Sequence, residues 1–379
     1  MKYSGNIVTF DQAAFGTIFW DGEKIEKITL SAPVDPDASW IVPGFIDTHL
    51  HGLAEGGLDY NGVVRMAEFC PETGVTALSP TLDSVMPDET LEFLNNVREI
   101  MTTHPCGKRI IGSHLEGPFL APEYAGGMLP EALRLPDLTE VKRLLDAADG
   151  TLLLVTLSPE LPGALEVISY LKSKGVSVSA GHTAMKTGEI DKFAAAGVDR
   201  ICHLYDTFEG RETNSGVPIP SVVDVVTVDD RFMLELILDG FHVPPTLVKL
   251  AIRAAGVERI IGITDALTGA GLPDGEYLDS TNRFYTLDNN ELCRLKDNPE
   301  IIVGSCLTMN RAFCNLVKLF DCTPVEASKI LSTNPACYAG LGNVTGKLQV
   351  GLRSDITILA PDMRKVEKCF VAGTEAYSI

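Results

Sequence analysis

No stretch of this 379-residue sequence reaches the ~18 consecutive apolar residues that cross a bilayer, so no membrane-spanning helix is expected. The opening segment, MKYSGNIVTFDQAAFGTIFWDGEKIEKITL, lacks the basic start and apolar core of a secretory signal, and none is expected. The nine cysteines are odd in number and form no CxxC pair. That argues against a disulfide framework and for buried, reduced thiols, which points to the cytoplasm. Basic residues are scarce: 31 Lys and Arg stand against 51 Asp and Glu, for a formal net charge of −20. Neither nucleic acid nor an anionic membrane is an expected partner of such a surface. An anionic small molecule stays possible, because a few basic groups converging on one pocket suffice. Finally, no GxGxxG follows an early strand, which disfavours an open dinucleotide-binding sheet.

What is present is a repeated strand-then-helix pattern. Hydrophobic residues make up 45% of the chain, with 34 Gly and 22 Pro, as in a loop-rich α/β protein. Eight apolar runs read as strands: IVPGFIDTHLH, VTALSPTL, RIIGSHLEG, TLLLVTLSPE, VSVSAGHT, RICHLYD, FMLELILDG and RIIGITDA. Stretches between them, such as PGALEVISYLKSKG and PTLVKLAIRAAG, read as amphipathic helices that each close at a glycine. Eight such units predict a closed (β/α)8 TIM-like barrel over residues 44–345. Both ends differ. The first forty residues alternate like strands, with a hairpin turn at Trp20-Asp21-Gly22-Glu23, and the segment from Gly346 onward is again short strands and turns. Residues 1–43 with 346–379 are therefore expected to pair into one small β-domain.

Polar residues stand at the C-terminal ends of the apolar runs, the end of a barrel that carries chemistry. Six of the seven histidines lie there, and only His104 lies elsewhere. His49 and His51 alternate along one strand, so both point to one face and can grip a single divalent ion. Glu116 is a carboxylate between an apolar strand and a Gly-Pro turn, a place where burial demands a cation or hydrogen-bond partner. His182 and His203 end two successive strands, one βα unit apart. Glu116, His182 and His203 make a three-ligand set with an open position, as in a catalytic zinc site. Asp265, after the isoleucines of the last strand, is suited to accept a proton from water and pass it to a leaving amine.

PGFIDTHLHG resembles the opening motif of the amidohydrolase superfamily. HLEGPF, SAGHT, HLYD, GRE, DGFHV, ITDA and GSCLTM, in that order, resemble the N-acetylglucosamine-6-phosphate deacetylases, and the likeness covers nearly the whole chain. It implies a barrel flanked by a β-sandwich of both termini, a homodimer, and hydrolysis of an acetamido sugar phosphate to the amine and acetate. By position, Glu116, His182 and His203 would bind the principal metal, expected to be zinc with iron or another transition metal as the alternative. His49 and His51 would hold a second ion in members that keep the pair, and Asp265 would be the acid/base. Arg211 and His242 match phosphate-contacting positions, one of them reaching toward a neighbouring subunit, and Leu307 matches a pocket-wall segment. Three features depart from the family pattern. Met128 stands where a polar side chain helps hold the acetamide carbonyl, and a thioether donates no hydrogen bond. Asp206 replaces an amide, and the loop after Arg211 reads GRETNSG. The departures leave two other readings open: a deacylase of another N-acyl substrate, or a metal-binding relative without catalysis.

Overall fold

The structure is a computed structural model that describes residues 1–288 and 292–379. Strands β1 (Lys2–Val8), β2 (Ala13–Asp21), β3 (Lys24–Ala32) and β4 (Trp40–Pro43) open the chain. β2 and β3 form the expected hairpin, in which Asp21 faces Lys24 and Gly22 takes a left-handed φ of 52° that a β-carbon would oppose. Then come β5 (Phe45–Leu50), β6 (Val75–Leu82), β7 (Ser113–Glu116), β8 (Leu152–Leu157), β9 (Ser177–Ala180) and β10 (Arg200–Ile201). An exposed hairpin, β11 (Glu212–Asn214) and β12 (Val217–Ile219), precedes β13 (Met233–Ile237) and β14 (Ile260–Ile263). A three-stranded excursion, β15 (Gly275–Leu278), β16 (Phe284–Asp288) and β17 (Leu292–Leu295), follows, and β18 (Ile356–Leu359), β19 (Val366–Val371) and β20 (Thr374–Ser378) end the chain.

Each of the eight apolar runs supplies one strand of a parallel sheet ordered β14-β13-β10-β9-β8-β7-β6-β5. The sheet closes on itself. Leu50 bridges Ala266 in parallel, Asp265 N–H donates to the His49 carbonyl at 2.9 Å, and His51 N–H donates to the Ala266 carbonyl at 2.8 Å. These strands are buried along nearly their whole length because both faces are covered, as in parallel sheets generally. The intervening helices bury one stripe each. α4 (Ala164–Ser173) buries Ala164, Val167, Ile168 and Leu171, and α7 (Pro245–Ala255) buries Val248, Ala251 and Ile252. Their C-terminal glycines, Gly175 and Gly256, have φ of 80° and 79°.

Strands from both termini share a second sheet, ordered β20-β19-β18-β4-β1-β2-β3. Trp20 on β2 and Phe370 on β19 lie four strand steps apart, about 19 Å in a flat sheet at ~4.8 Å per step. Their ring centroids are nevertheless 4.9 Å apart, edge to face. The sheet therefore curls over its own core, in which Ile7, Ile18, Ile25, Ile41, Ile356 and Ile358 are fully buried or nearly so. Its other face, including Val8, Val42 and Cys369, joins the barrel core. Seven of the nine cysteines are buried, while Cys337 is exposed and Cys314 half-buried. No helix among the described residues is long and apolar enough to cross a membrane.

Candidate metal centre

The strand ends converge on one carboxylate. Glu116, at the end of β7, lies 2.7 Å from His203 Nε2 and 3.0 Å from His182 Nε2 through Oε1. Through Oε2 it lies 3.2 Å from His51 Nε2 and 3.4 Å from His49 Nε2. Asp265 Oδ1 stands 2.9 Å from His51 Nε2 and 3.4 Å from His49 Nε2. Two ligand groups share Glu116, one of Glu116, His182 and His203 and one of His49, His51, Glu116 and Asp265, and a third of His49, Cys202 and Glu235 lies behind His49. His182 and Asp265 hold left-handed backbone φ of 48° and 51°, a conformation costly for residues with a β-carbon. The strain is spent on aiming both side chains inward from the barrel rim.

The hydrogen bonds on the far side of each ring fix which nitrogen faces inward. His182 Nδ1 donates to the Tyr124 carbonyl at 2.9 Å and His51 Nδ1 to the Thr81 carbonyl at 3.0 Å. His49 Nδ1 faces Glu235 Oε2 at 3.4 Å. In each ring the proton belongs on Nδ1, which turns the Nε2 lone pair toward the centre. His49 Nε2 is buried with no hydrogen-bond partner, and His182 and His203 bring their Nε2 atoms to 3.2 Å of each other. Nε2 atoms aimed at one another across carboxylate oxygens fit a divalent cation. The charges agree. Burial pushes the Glu116 carboxyl up, but His49, His182 and His203 hold it well below the usual range. Burial pushes Asp265 up as well, and His49 and His51 bring it down to about 2. Burial pushes His51 down, whereas Asp83, Asp265 and Glu116 raise it well above its ordinary value. The carboxylates call for positive charge at the centre of the rim.

A cavity of 170 Å³ opens over this cluster, lined by Met128, Asp206, His242 and Arg283 as well as the centre itself. His242 pairs with Asp239 at 2.6 Å, which outweighs burial and raises its pKa. Met128 is buried in the wall, where its sulfur accepts the Ser84 N–H at 3.4 Å. Arg211 is not brought in. It lies at the base of the exposed β11–β12 hairpin, 60% exposed, and pairs with Asp224. Leu307 is in the barrel core and does not line the cavity.

Four further residues near the cavity or beneath it were not singled out by sequence. Asp83 lies 3.2 Å from His51 Nδ1 and directly follows the apolar run VTALSPTL, so the strand-end rule that found the histidines applies to it too. Glu235 is a carboxylate in the middle of the apolar run FMLELIL, which is itself a signal of a buried partner. It pairs with the fully buried Arg200. Asp279 and Arg283 reach the cavity from the β15–β16 turn, and nothing local in the sequence marks them.

The amidohydrolase family model matches residues 40–375, the barrel together with most of the C-terminal strands. The chain belongs to the amidohydrolase family. This amidohydrolase is therefore an enzyme of a metal-dependent superfamily, and the cluster around Glu116 is able to hold the ion. It is 32% identical over 358 residues to N-acetylgalactosamine-6-phosphate deacetylase of Escherichia coli O157:H7, covering 92% of this chain and 90% of that one. It is 31% identical over 342 residues to N-acetylglucosamine-6-phosphate deacetylase of Bacillus subtilis (strain 168), covering 88% and 83%. Among solved structures, N-acetyl-D-glucosamine-6-phosphate deacetylase of Mycobacterium smegmatis superposes with a TM-score of 0.89 at 28% identity over 100% of both chains.

Proposed function

We propose that this amidohydrolase removes the acetyl group from an N-acetylhexosamine 6-phosphate, releasing acetate and the free amine. The observation that carries the reading is the double ligand set sharing Glu116 with Asp265 on its edge, in a chain whose relatives over most of its length are deacetylases of such sugars. Glu116, His182 and His203 would hold one divalent ion, with zinc as the first choice, and His49 and His51 a second. Bound there, such ions supply Lewis acidity and lower the pKa of water. The residues do the rest. Asp265, an ionised carboxylate with its Oδ1 on the rim, takes the proton of the attacking water and returns it to the departing nitrogen. His242, whose charged form Asp239 favours, would meet the phosphate from the cavity wall. Met128 would offer the acetamide carbonyl no donor.

In the same reading, residues 1–43 with 346–379 form one unit and 44–345 the hydrolase barrel, in a cytoplasmic homodimer. Arg211 outside its own cavity supports the dimer, beside Val217 and Ile219 at 66% and 40% exposure on the same hairpin. A partner's cavity is where such a hairpin would reach.

The test is acetate release from N-acetylglucosamine and N-acetylgalactosamine, each with and without the 6-phosphate, by metal-loaded protein. Release from at least one phosphorylated epimer is expected. Release confined to another N-acyl compound would shift the assignment to that substrate, and no release from any amide would leave a metal-binding protein without this activity.

A further inference from the structure

The left-handed backbone of Asp265 is a conformation that persists only where the surroundings over-determine it. Ser305 supplies one side of that constraint. Its N–H donates to the Asp265 carbonyl at 2.7 Å, its hydroxyl donates to the Thr264 carbonyl at 2.5 Å, and its carbonyl accepts the Leu267 N–H at 2.9 Å. We propose that Ser305 is a positioning residue for the reaction and, with the Thr264–Asp47 pair opposite it, sets where the Asp265 carboxylate stands. The inference rests on the deacetylase reading above and on the proton transfer given there to Asp265.

The barrel seam supplies the other side. Asp265 N–H donates to the His49 carbonyl at 2.9 Å, and the Thr264 hydroxyl donates to Asp47 Oδ2 at 2.6 Å. Asp47 Oδ1 accepts the N–H groups of His49 and Thr264 at 3.3 and 3.4 Å. The strained residue is thus clasped between β5, which carries two of the ligand histidines, and the segment of Ser305. Gly304 lets that segment come close, because at its φ of 32° a β-carbon would lie 2.8 Å from the Asp265 carbonyl oxygen. The Ser305 hydroxyl also accepts the Leu307 N–H at 2.9 Å, which leaves its own proton for the Thr264 carbonyl. Ser305 and Thr264 are buried, and neither lines the cavity, so they reach the reaction only through Asp265. A carboxylate that must meet first a water and then a departing nitrogen is sensitive to a displacement of about 1 Å.

A residue that acts through Asp265 is separable from one that merely holds the fold. Acetate release from an N-acetylhexosamine 6-phosphate is measured for Ser305→Ala, Thr264→Val, Asp265→Asn and the two clasp variants in the Asp265→Asn background, with metal content and melting temperature. Thr333→Val, which loses a buried hydroxyl bond to the Gly346 carbonyl, is the control. Ser305→Ala and Thr264→Val should each lower kcat about 10- to 100-fold while KM and metal content stay within about 2-fold, and the control should keep its kcat. In the Asp265→Asn background either change should cost less than about 2-fold more, because residues that act as a unit are not additive. Losses that multiply, an equal loss in the control, depleted metal, or a wild-type kcat in Ser305→Ala would overturn the proposal. Should Ser305→Ala fail to fold, Thr264→Val decides by the same criteria. Wild-type turnover in Asp265→Asn would remove the proton transfer itself, and the proposal with it. Should wild type release no acetate, the deacetylase reading fails on its own, and crystal structures of wild type and Ser305→Ala decide: a displaced Asp265 carboxylate supports the clasp, and an unmoved one refutes it.

Discussion

Beneath the metal centre lies a buried ion pair whose disruption separates stability from metal affinity. Arg200 and Glu235 are both fully buried and paired, with Arg200 also donating to the Thr48 hydroxyl at 2.6 Å and stacking on the Tyr338 ring at 4.7 Å. The other Glu235 oxygen faces His49 Nδ1. In Glu235→Gln the guanidinium keeps its charge and loses its counter-ion, at a cost of about 3–5 kcal/mol. With an unfolding entropy of about 2.1 cal/mol/K per residue, a chain this long loses about 0.8 kcal/mol/K, so the metal-free variant should melt about 4–6 °C lower. The same change weakens the anchor that keeps the His49 proton on Nδ1, and zinc affinity should fall about 10- to 100-fold. The double variant Arg200→Met/Glu235→Leu removes both charges, and replacing a whole buried pair by apolar side chains is often neutral or better. Its melting temperature should return to within about 2 °C of wild type, allowing about 1 kcal/mol for the hydrogen bond lost by Thr48. Zinc affinity should stay low, because His49 still has no carboxylate. Melting curves under chelator and competitive zinc titration give the two numbers. A double variant that regains full zinc affinity would refute the anchoring role. A single variant that melts with wild type would refute the electrostatic one. The pH dependence has a definite sign. Burial opposes ionisation of Glu235, but Arg200 and His49 outweigh it and hold its pKa far below the ordinary 4.5. Its contribution is complete above that value and is lost as pH falls toward the folded-state pKa, so Glu235→Gln should flatten the acid limb of the metal-free stability curve.

Asp265→Asn should cut acetate release by about 10²- to 10⁴-fold, the range for a positioned acid/base, while metal content measured on the purified protein stays near normal. Turnover near wild type would remove the proton-shuttle role. Chelation should lower the melting temperature, and zinc at about 100 times its Kd should restore about 2.7 kcal/mol. A melting temperature blind to both would mean that the ligand cluster holds no ion. Burial lowers the His242 pKa, and Asp239 outweighs it and raises the pKa above 6.5, so the imidazolium persists past that pH and is lost as pH rises further. KM for a phosphorylated sugar should therefore begin to climb at a lower pH in Asp239→Asn than in wild type, and superimposable KM–pH profiles would contradict the pairing.

The parts legible in sequence are those in which a strand decides the position alone. His49 and His51 share a face because a strand repeats every two residues, and the ends of β7, β9 and β10 bring Glu116, His182 and His203 to the rim because every barrel strand points the same way. Asp83 obeys the same geometry, so its place beside His51 follows from the run before it. The eight runs, the hairpin at Gly22 and the closing glycines of α4 and α7 were legible for a similar reason, since each is set by contacts within a few residues. The pairing of both termini is less local, and only the shared alternation at the two ends hinted at it. Where the side chain is aimed by another βα unit, sequence carries the residue type and not the place. Arg211 has the right charge for a phosphate but sits on an exposed hairpin, while Arg283 enters the cavity only because the β15–β16 turn docks on the Gly127 loop, 156 residues earlier. The ion-binding rim is thus written in strand periodicity, and the cavity wall around Arg283 in loop-to-loop contact. Exchanging the β15–β16 turn should reshape that wall and leave the rim in place, so the exchanged variant should keep its metal content.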